Sequence, residues 1–192
     1  MEQSIDRANK QLSTTQNFIE KLVLEAGFEF FGTCTAGSLR VLPEVRDMCT
    51  ADRCRSYDKS WSCPPACGSL ENFEALFKRY EQCIVFQTVV TLQDMFDFEG
   101  ILGATHIHDQ RFHDLVTRVN ETDYDIVLLS AGCCNLCAEG TCAYPKTPCC
   151  NPELMRPSME ATGLLVSEVC DAAGLAYHHG PCTMTMISCA LI

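Results

Sequence analysis

The sequence predicts an α/β protein: a single layered domain, residues 1–192, with a mixed, partly parallel sheet flanked by helices. Two observations carry this prediction. Apolar residues at helical spacing alternate along the chain with short β-branched apolar runs, an order typical of parallel crossovers. No linker, repeat or low-complexity tract divides the chain, and its length suits one core.

Four segments have the helical spacing: residues 18–26, 73–80, 112–119 and 164–172. Gly27 and Gly174 follow the first and last of these segments and are placed to end those helices. Ser69 precedes the second segment and Ser158 the last, each as a predicted start of its helix. Five short apolar runs predict strands: residues 29–33, 83–92, 126–130, 175–179 and 184–192.

Acidic side chains dominate the composition. There are 25 Asp and Glu residues against 14 Lys and Arg residues, which gives a formal charge of −11. Nucleic acids and anionic membranes both attract basic surfaces, so we expect neither as a partner. Apolar runs such as residues 84–90 are too short to span a bilayer, and the N-terminus lacks a basic stretch followed by an apolar one. We therefore expect a cytoplasmic protein.

Cysteine is unusually frequent, with 15 residues in 192. A disulfide scaffold is disfavoured because the count is odd, a secretion signal is not recognisable and the chain is long enough to be stable without covalent links. In a reducing cytosol, closely spaced thiolates more often bind metals. The cysteines concentrate in residues 49–68 and 132–150, which we call the first and second cysteine loops.

The second cysteine loop has the more specific spacing. Four predicted ligands are separated by two, four and six residues: Cys134, Cys137, Cys142 and Cys149. Four thiolates satisfy either a tetrahedral zinc or a 4Fe–4S cluster. Zinc sites usually have two paired C-x2-C knuckles, so the widening spacing favours a cluster. The vicinal Cys133 and Cys150 are expected to be spectators.

The first cysteine loop supplies a second set of predicted ligands: Cys49, Cys54, Cys63 and Cys67. Pro64 after Cys63 resembles the Cys-Pro pattern of ferredoxin ligands. Aromatic and basic residues surround these thiols, where they can shield a cluster and offset its charge: Tyr57, Trp61, Arg53, Arg55 and Lys59. With Cys67 as a ligand the site is closed and suits electron transfer. Without it, one iron is open and can act as a Lewis acid.

The remaining candidates are expected to be structural. His106, His108 and His113 have no recognised metal-ligand spacing, so surface or capping roles are predicted. Five other cysteines lie in apolar contexts typical of inert buried thiols: Cys34, Cys83, Cys170, Cys182 and Cys189. No phosphate-binding or dinucleotide fingerprint is present, and no catalytic residue is indicated.

In these motifs the sequence resembles a family of predicted metal-binding proteins of bacteria and archaea. The resemblance rests on the order of six motifs: Cys49-x4-Cys54, Trp61-Ser-Cys63-Pro-Pro, residues 69–73, Cys134-x2-Cys137, Cys142 with Cys149, and Arg156-Pro-Ser-Met-Glu-Ala161. It implies metal ligands at every predicted position except Cys67, which the family's Cys-Pro-Pro motif does not require. It implies no particular reaction.

We therefore expect an iron–sulfur protein with two 4Fe–4S clusters that acts in electron transfer or reductive activation. Because small acidic carriers commonly dock on basic patches, a protein redox partner is expected. Two alternatives stay open at the sequence level. One is an enzyme that uses an open-iron cluster as a Lewis acid, and the other is a zinc-binding structural or metal-handling protein.

Overall fold

The computed structural model describes residues 2–138 and 141–192, with side chains described from Gln11 onward. The helices are α1 (Glu2–Glu25), α2 (Pro43–Thr50), α3 (Leu70–Phe77), α4 (Phe98–Asn120) and α5 (Val166–Ala172). The strands are β1 (Phe30–Thr35), β2 (Gln82–Thr91), β3 (Val127–Leu129) and β4 (Thr183–Leu191). Two short 3-10 helices, Ala36–Ser38 and Glu160–Thr162, complete the described elements.

The strands form one sheet in the order β1-β2-β4-β3, and each neighbouring pair is antiparallel. The α/β class is confirmed, but the prediction of a mixed, partly parallel sheet is wrong. The crossover through α4 does give β2 and β3 the same direction. However, β4 inserts between them, so they never pair. Within the described residues, parallel pairing is limited to the isolated bridge between Ser130 and Ser158.

Helices cover both faces of the sheet, because alternate residues of a strand point to opposite sides. On β2, Ile84 and Phe86 belong to the apolar cluster that contains α1 and α4 residues. Cys83 and Val85 belong to the cluster on the other face, with residues of α3 and α5. Burial on both faces explains the continuous apolar run in the sequence of β2.

The predicted helix ends are partly confirmed. Ser69 caps α3, because its side chain accepts a hydrogen bond from the Asn72 amide at 3.2 Å. Gly27 follows α1 with a φ of +93°, a conformation that glycine adopts without strain. Ser158 instead lies just before the 3-10 helix, whose N-cap is Met159, and its hydroxyl accepts a hydrogen bond from the Ala161 amide at 3.1 Å. Helix α5 begins only at Val166, after the N-cap residue Leu165.

Two further differences have local causes. Residues 175–179 form no strand, and the Ala176 carbonyl accepts a hydrogen bond from the side chain of Gln87 at 2.9 Å. Helix α4 begins at Phe98, well before the predicted segment, because Asp97 caps it by accepting from the Gly100 amide at 2.9 Å.

This longer α4 buries His108, for which we had predicted a surface or capping role. The ring is 1% exposed and lies between two strand hydroxyls, at 3.0 Å from Thr88 and 2.8 Å from Ser188. Burial, and then the charge of Arg111, lower the pKa of His108 to about 3. The imidazole is therefore neutral in the folded protein at neutral pH.

We predict that His108 makes the free energy of unfolding depend on pH. Its folded pKa is lower than its unfolded value of 6.5, so the unfolded chain binds the extra proton and stability falls as pH drops below 6.5. His108→Gln should destabilise the protein at pH 7.5, and this deficit should shrink by about 2 kcal/mol at pH 5. Urea unfolding at both pH values measures it. The exposed His178→Gln serves as the control, and a constant deficit for His108→Gln would contradict the assignment.

Candidate metal centre

The two cysteine loops meet at a buried serine. The first loop begins in the last turn of α2, which contains Cys49, and the second follows β3. Ser62 is fully buried, and its hydroxyl accepts a hydrogen bond from the backbone amide of Cys134 at 3.0 Å. The same hydroxyl lies 3.0 Å from that of Ser60. Ser62 of the first loop therefore holds Cys134, the first predicted ligand of the second loop, against the first loop.

Aromatic side chains extend this contact. The Trp61 and Tyr144 rings meet edge to face, with centroids 4.9 Å apart. The Tyr144 hydroxyl donates a hydrogen bond to Asp58, which raises the pKa of that phenol. Trp61 thus packs against the second loop. Its indole N–H is buried and has no hydrogen-bond partner among the described residues.

The thiols of the first loop lie within electrostatic range of one another. Burial raises the pKa of Cys63 to about 12, with smaller contributions from Cys133, Cys54 and Cys67. The pKa of Cys49 is also raised, by burial and then by repulsion from Cys54 and, more weakly, Cys67. We call Cys49, Cys54, Cys63 and Cys67 the first thiol group.

Arg46 holds the end of the first loop, and the sequence analysis missed it. Its guanidinium donates to the Gly68 carbonyl at 2.6 Å, to the Ala161 carbonyl at 2.9 Å and to the Cys67 sulfur at 3.3 Å. Burial raises the pKa of the Cys67 thiol, and Arg46 opposes that rise. The sequence does place Arg46 one helical turn before the predicted ligand Cys49. The groups that Arg46 contacts, however, are distant from it in the sequence.

The predicted basic surround of this loop is partly structural. Lys59 pairs with Asp52 at 2.8 Å, and Asp52 also accepts from the Tyr57 amide at 2.9 Å. These contacts lower the pKa of Asp52. Three residues of the loop that are not glycine adopt left-handed backbone conformations: Asp52 at φ 47°, Arg55 at φ 59° and Asp58 at φ 53°. Side-chain contacts therefore hold a loop whose backbone is strained.

The second loop gathers its thiols around Asn151, another residue that the sequence analysis did not single out. Its side-chain amide lies 3.6 Å from the Cys137 sulfur and 3.4 Å from the Cys150 sulfur, and its backbone amide lies 3.4 Å from the Cys149 sulfur. The Cys137 and Cys150 sulfurs are 3.4 Å apart, and this contact raises the pKa of Cys137 to about 11. Cys150, expected to be a spectator, is thus in direct contact with a predicted ligand.

Cys134 is influenced by the other thiols of this loop. Its pKa is raised by burial and then by repulsion from Cys149, Cys133 and Cys142. We call Cys134, Cys137, Cys142 and Cys149 the second thiol group. Cys133 contributes to the raised pKa values of both Cys134 and Cys63, one thiol from each group.

All fifteen cysteines lie in the described residues, and all are free thiols. In residues 11–138 and 141–192, whose side chains are described, no three His, Cys, Asp or Glu residues stand close enough together to hold a metal ion. The eight predicted ligands therefore form two neighbourhoods, and metal binding requires their side chains to converge. Apart from these, Cys34, Cys83, Cys170 and Cys189 are buried in the apolar core as expected, whereas Cys182 is partly exposed.

The donor set fits a thiolate-bound metal or cluster. Thiolates bind zinc and iron–sulfur clusters. Five of these thiols have raised pKa values, which keep them protonated until a cation displaces the protons: Cys49, Cys63, Cys67, Cys134 and Cys137. The unpartnered indole N–H of Trp61 lies two residues before Cys63 and offers a donor to sulfur. Arg46 and Asn151 provide further N–H groups that already contact sulfur atoms. The chain can therefore both ligate a metal through sulfur and donate hydrogen bonds to the ligands.

The α/β fold and the two joined thiol groups define a cysteine-rich metal-binding protein as the class. The chain belongs to the family described as Predicted metal-binding protein (DUF2284), whose model matches residues 32–192 and so includes both cysteine loops. The resemblance seen in the sequence is thereby confirmed, and metal binding is the function that the family states. No curated protein and no solved structure matches the chain. Across the described residues, every helix is too short or too polar to cross a membrane.

We predict that Ser62→Ala loosens the contact between the loops. The substitution leaves the partly buried Cys134 amide without its acceptor, which costs about 1–3 kcal/mol of unfolding free energy. It should also lower the metal content of the purified protein, because the ligand run of the second loop is no longer anchored. Urea unfolding and elemental analysis measure the two effects. Ser13→Ala, on the exposed side of α1, is the matched control, and equal stability of the two variants would refute the anchoring role.

Proposed function

We propose that this protein carries two 4Fe–4S clusters, one on each thiol group, and that it transfers electrons to a partner enzyme or reductively activates it. A 4Fe–4S cluster gains and loses single electrons at a potential set by its ligands and their hydrogen bonds. The rest of the proposal concerns what this chain's own residues contribute: ligation, hydrogen bonds to sulfur, shielding from water, and a surface for the partner.

The contact between Ser62 and Cys134 is the observation that carries the proposal. It joins the two loops, because the Ser62 hydroxyl oxygen, next to the predicted ligand Cys63, lies 3.0 Å from the backbone nitrogen of the predicted ligand Cys134. Cys133 is also within electrostatic range of Cys63. A structural zinc site needs only one such group. Two adjacent groups suit electron transfer, because an electron that enters at one cluster can pass to the other.

Hydrogen bonds to the sulfur atoms support a redox role. Arg46 donates to Cys67 in the first group, and Asn151 contacts Cys137 and Cys149 in the second. Such bonds stabilise the more negative state of a cluster, whereas burial disfavours it, and together they set the potential. The two groups differ in this respect: a cationic guanidinium serves the first and a neutral amide serves the second. The two clusters should therefore have different potentials.

The partner is proposed to be a protein with a basic docking surface. The chain has a formal charge of −11, and charge complementarity raises the rate of encounter between small carriers and their enzymes. We propose a cytoplasmic location because free thiols and metal clusters of this kind persist in reducing compartments.

Anaerobic purification tests the proposal. We expect about eight iron and eight sulfide per chain, broad absorption near about 400 nm, and two distinct EPR signals during a reductive titration. Cys137→Ser should remove one signal, and Cys63→Ser should remove the other. The buried core thiol variant Cys170→Ser should keep both signals. Colourless protein that contains zinc under the same conditions would refute the iron–sulfur assignment and favour the zinc alternative.

A second function is favoured by one observation about Cys67. Its sulfur already has two protein partners, the Arg46 guanidinium at 3.3 Å and the Ala161 carbonyl at 3.7 Å. If these partners retain Cys67, the first cluster has three protein ligands and one open iron. An open iron polarises a bound oxygen atom as a Lewis acid, which makes hydrolytic, dehydrating or desulfurising chemistry accessible.

Cys67→Ala separates the two functions. With four ligands in the first group, the substitution should change the EPR signal of that cluster and lower its iron content. With an open iron, both should stay as in the unsubstituted protein. Cys49→Ala is the matched comparison, because it removes a ligand of the same cluster in either case. Signals that change equally in both variants favour the closed, electron-transfer site.

A further inference from the structure

A group of large apolar side chains is exposed at the start of α4. Met95 is 71% exposed, Phe96 86%, Phe98 74% and Leu102 62%. Phe98 and Leu102 are four residues apart in α4 and therefore lie on the same side of the helix. Met95 and Phe96 immediately precede the helix. We call these four residues the α4 apolar patch.

The backbone of this patch is held in place. The Phe96 amide donates to the Asp94 carboxylate at 2.7 Å, while Asp97 accepts from the Gln93 amide at 2.9 Å and caps α4 through Gly100. A side chain at Gly100 would lie only 2.4 Å from the Asp97 carboxylate, so this turn has little room to rearrange. The apolar side chains are thus presented by an ordered turn, which lowers the entropy cost of binding.

The area of the patch indicates a transient protein–protein interaction. Four such side chains at these exposures present on the order of 500 Å², near the upper end of what monomers usually expose. A stable dimer buries about 800 Å² on each partner, whereas weak electron-transfer encounters bury less. The area therefore fits a short-lived complex.

The acidic side chains around the patch indicate a partner with a basic surface. Asp94, Asp97 and Glu99 lie among the apolar residues, and backbone hydrogen bonds lower the pKa of Asp97 so that it is ionised at neutral pH. A second copy of the chain would bring the same acidic rim and a formal charge of −11 against this one. An anionic membrane would be repelled in the same way. An apolar cleft with a basic rim complements both features.

The patch is also continuous with the second cysteine loop. Leu102, His106, Asp109 and His113 follow one another at helical spacing and share one side of α4. Asp109 accepts a hydrogen bond from the Asn135 side chain of the second loop. Leu102 and Asp109 are seven residues apart, or about 10 Å along the helix. A partner seated on the patch is therefore beside the second thiol group.

We infer that the α4 apolar patch is the docking surface for a protein partner that presents an apolar cleft rimmed by lysine and arginine. The partner inserts Phe96 and Leu102 into its cleft and pairs its cations with Asp94 and Glu99. The inference rests on the proposed electron-transfer function, which gives the reason for docking: a partner bound at the patch lies beside the second cysteine loop. The binding itself depends only on α4 and the turn before it.

Selection of short random peptides displayed on phage against the immobilised protein tests this inference. We expect the selected peptides to combine Lys or Arg with large apolar residues. Their affinity should fall about tenfold or more for Phe96→Ser/Leu102→Ser and should also fall with salt. Glu99→Gln should weaken binding less and reduce its salt dependence. The control is Leu24→Ser on α1, which removes an exposed apolar side chain outside the patch and should leave the affinity unchanged.

The same peptides distinguish failure of this inference from failure of the proposed function. They should still bind Cys134→Ser/Cys137→Ser, which removes ligands of the second thiol group but not the patch. Peptide binding lost in that variant and kept in Phe96→Ser/Leu102→Ser would overturn the patch as the docking surface. So would selected peptides without basic residues, self-association that the patch variant abolishes, or patch-dependent binding to anionic phospholipid vesicles.

Discussion

One partly buried hydrogen bond, from the Cys134 amide to the Ser62 hydroxyl, organises this protein's metal-binding region. The two residues are separated by 72 positions, and the bond links the loop that follows α2 to the loop that follows β3. Around it, the Trp61 and Tyr144 rings close the same interface. Because Ser62 precedes Cys63 and Cys134 is itself a predicted ligand, the geometry of both thiol groups depends on this contact. The sheet positions the two loops, and Ser62 holds them together.

The fold was predictable where the local sequence dictates it. Apolar spacing located parts of all the longer helices, and a β-branched run located β2. The sheet's direction was not predictable from those patterns. Alternation of helices and strands predicted parallel neighbours, and the crossover through α4 does make β2 and β3 parallel in direction. The last strand of the chain then enters between them, and nothing in the sequence of β2 or β3 indicates that choice.

The candidate site shows a similar division. Cysteine spacing located both thiol groups, because ligands within one loop are close in sequence. The residues that hold those loops were not found, because their partners are distant. Arg46 binds the Gly68 carbonyl at the end of the first loop and the Ala161 carbonyl in the 3-10 helix, and Ser62 bonds to the other loop. Asn151 is adjacent to Cys150, yet its role depends on the return of Cys137 to the same place. His108 was misjudged for the same reason, since its hydroxyl partners lie on two separate strands.

The left-handed residues of the first loop have a consequence for how this region becomes ordered. Asp52, Arg55 and Asp58 each adopt a conformation that costs roughly 1–2 kcal/mol for a residue with a side chain. The segment therefore does not favour its native shape in isolation. Lys59 on Asp52 stabilises this segment from within, and Tyr144 of the second loop, which donates to Asp58, couples it to its surroundings. The native conformation of this segment therefore depends on the second cysteine loop, whose Tyr144 supplies a contact that offsets part of this backbone cost.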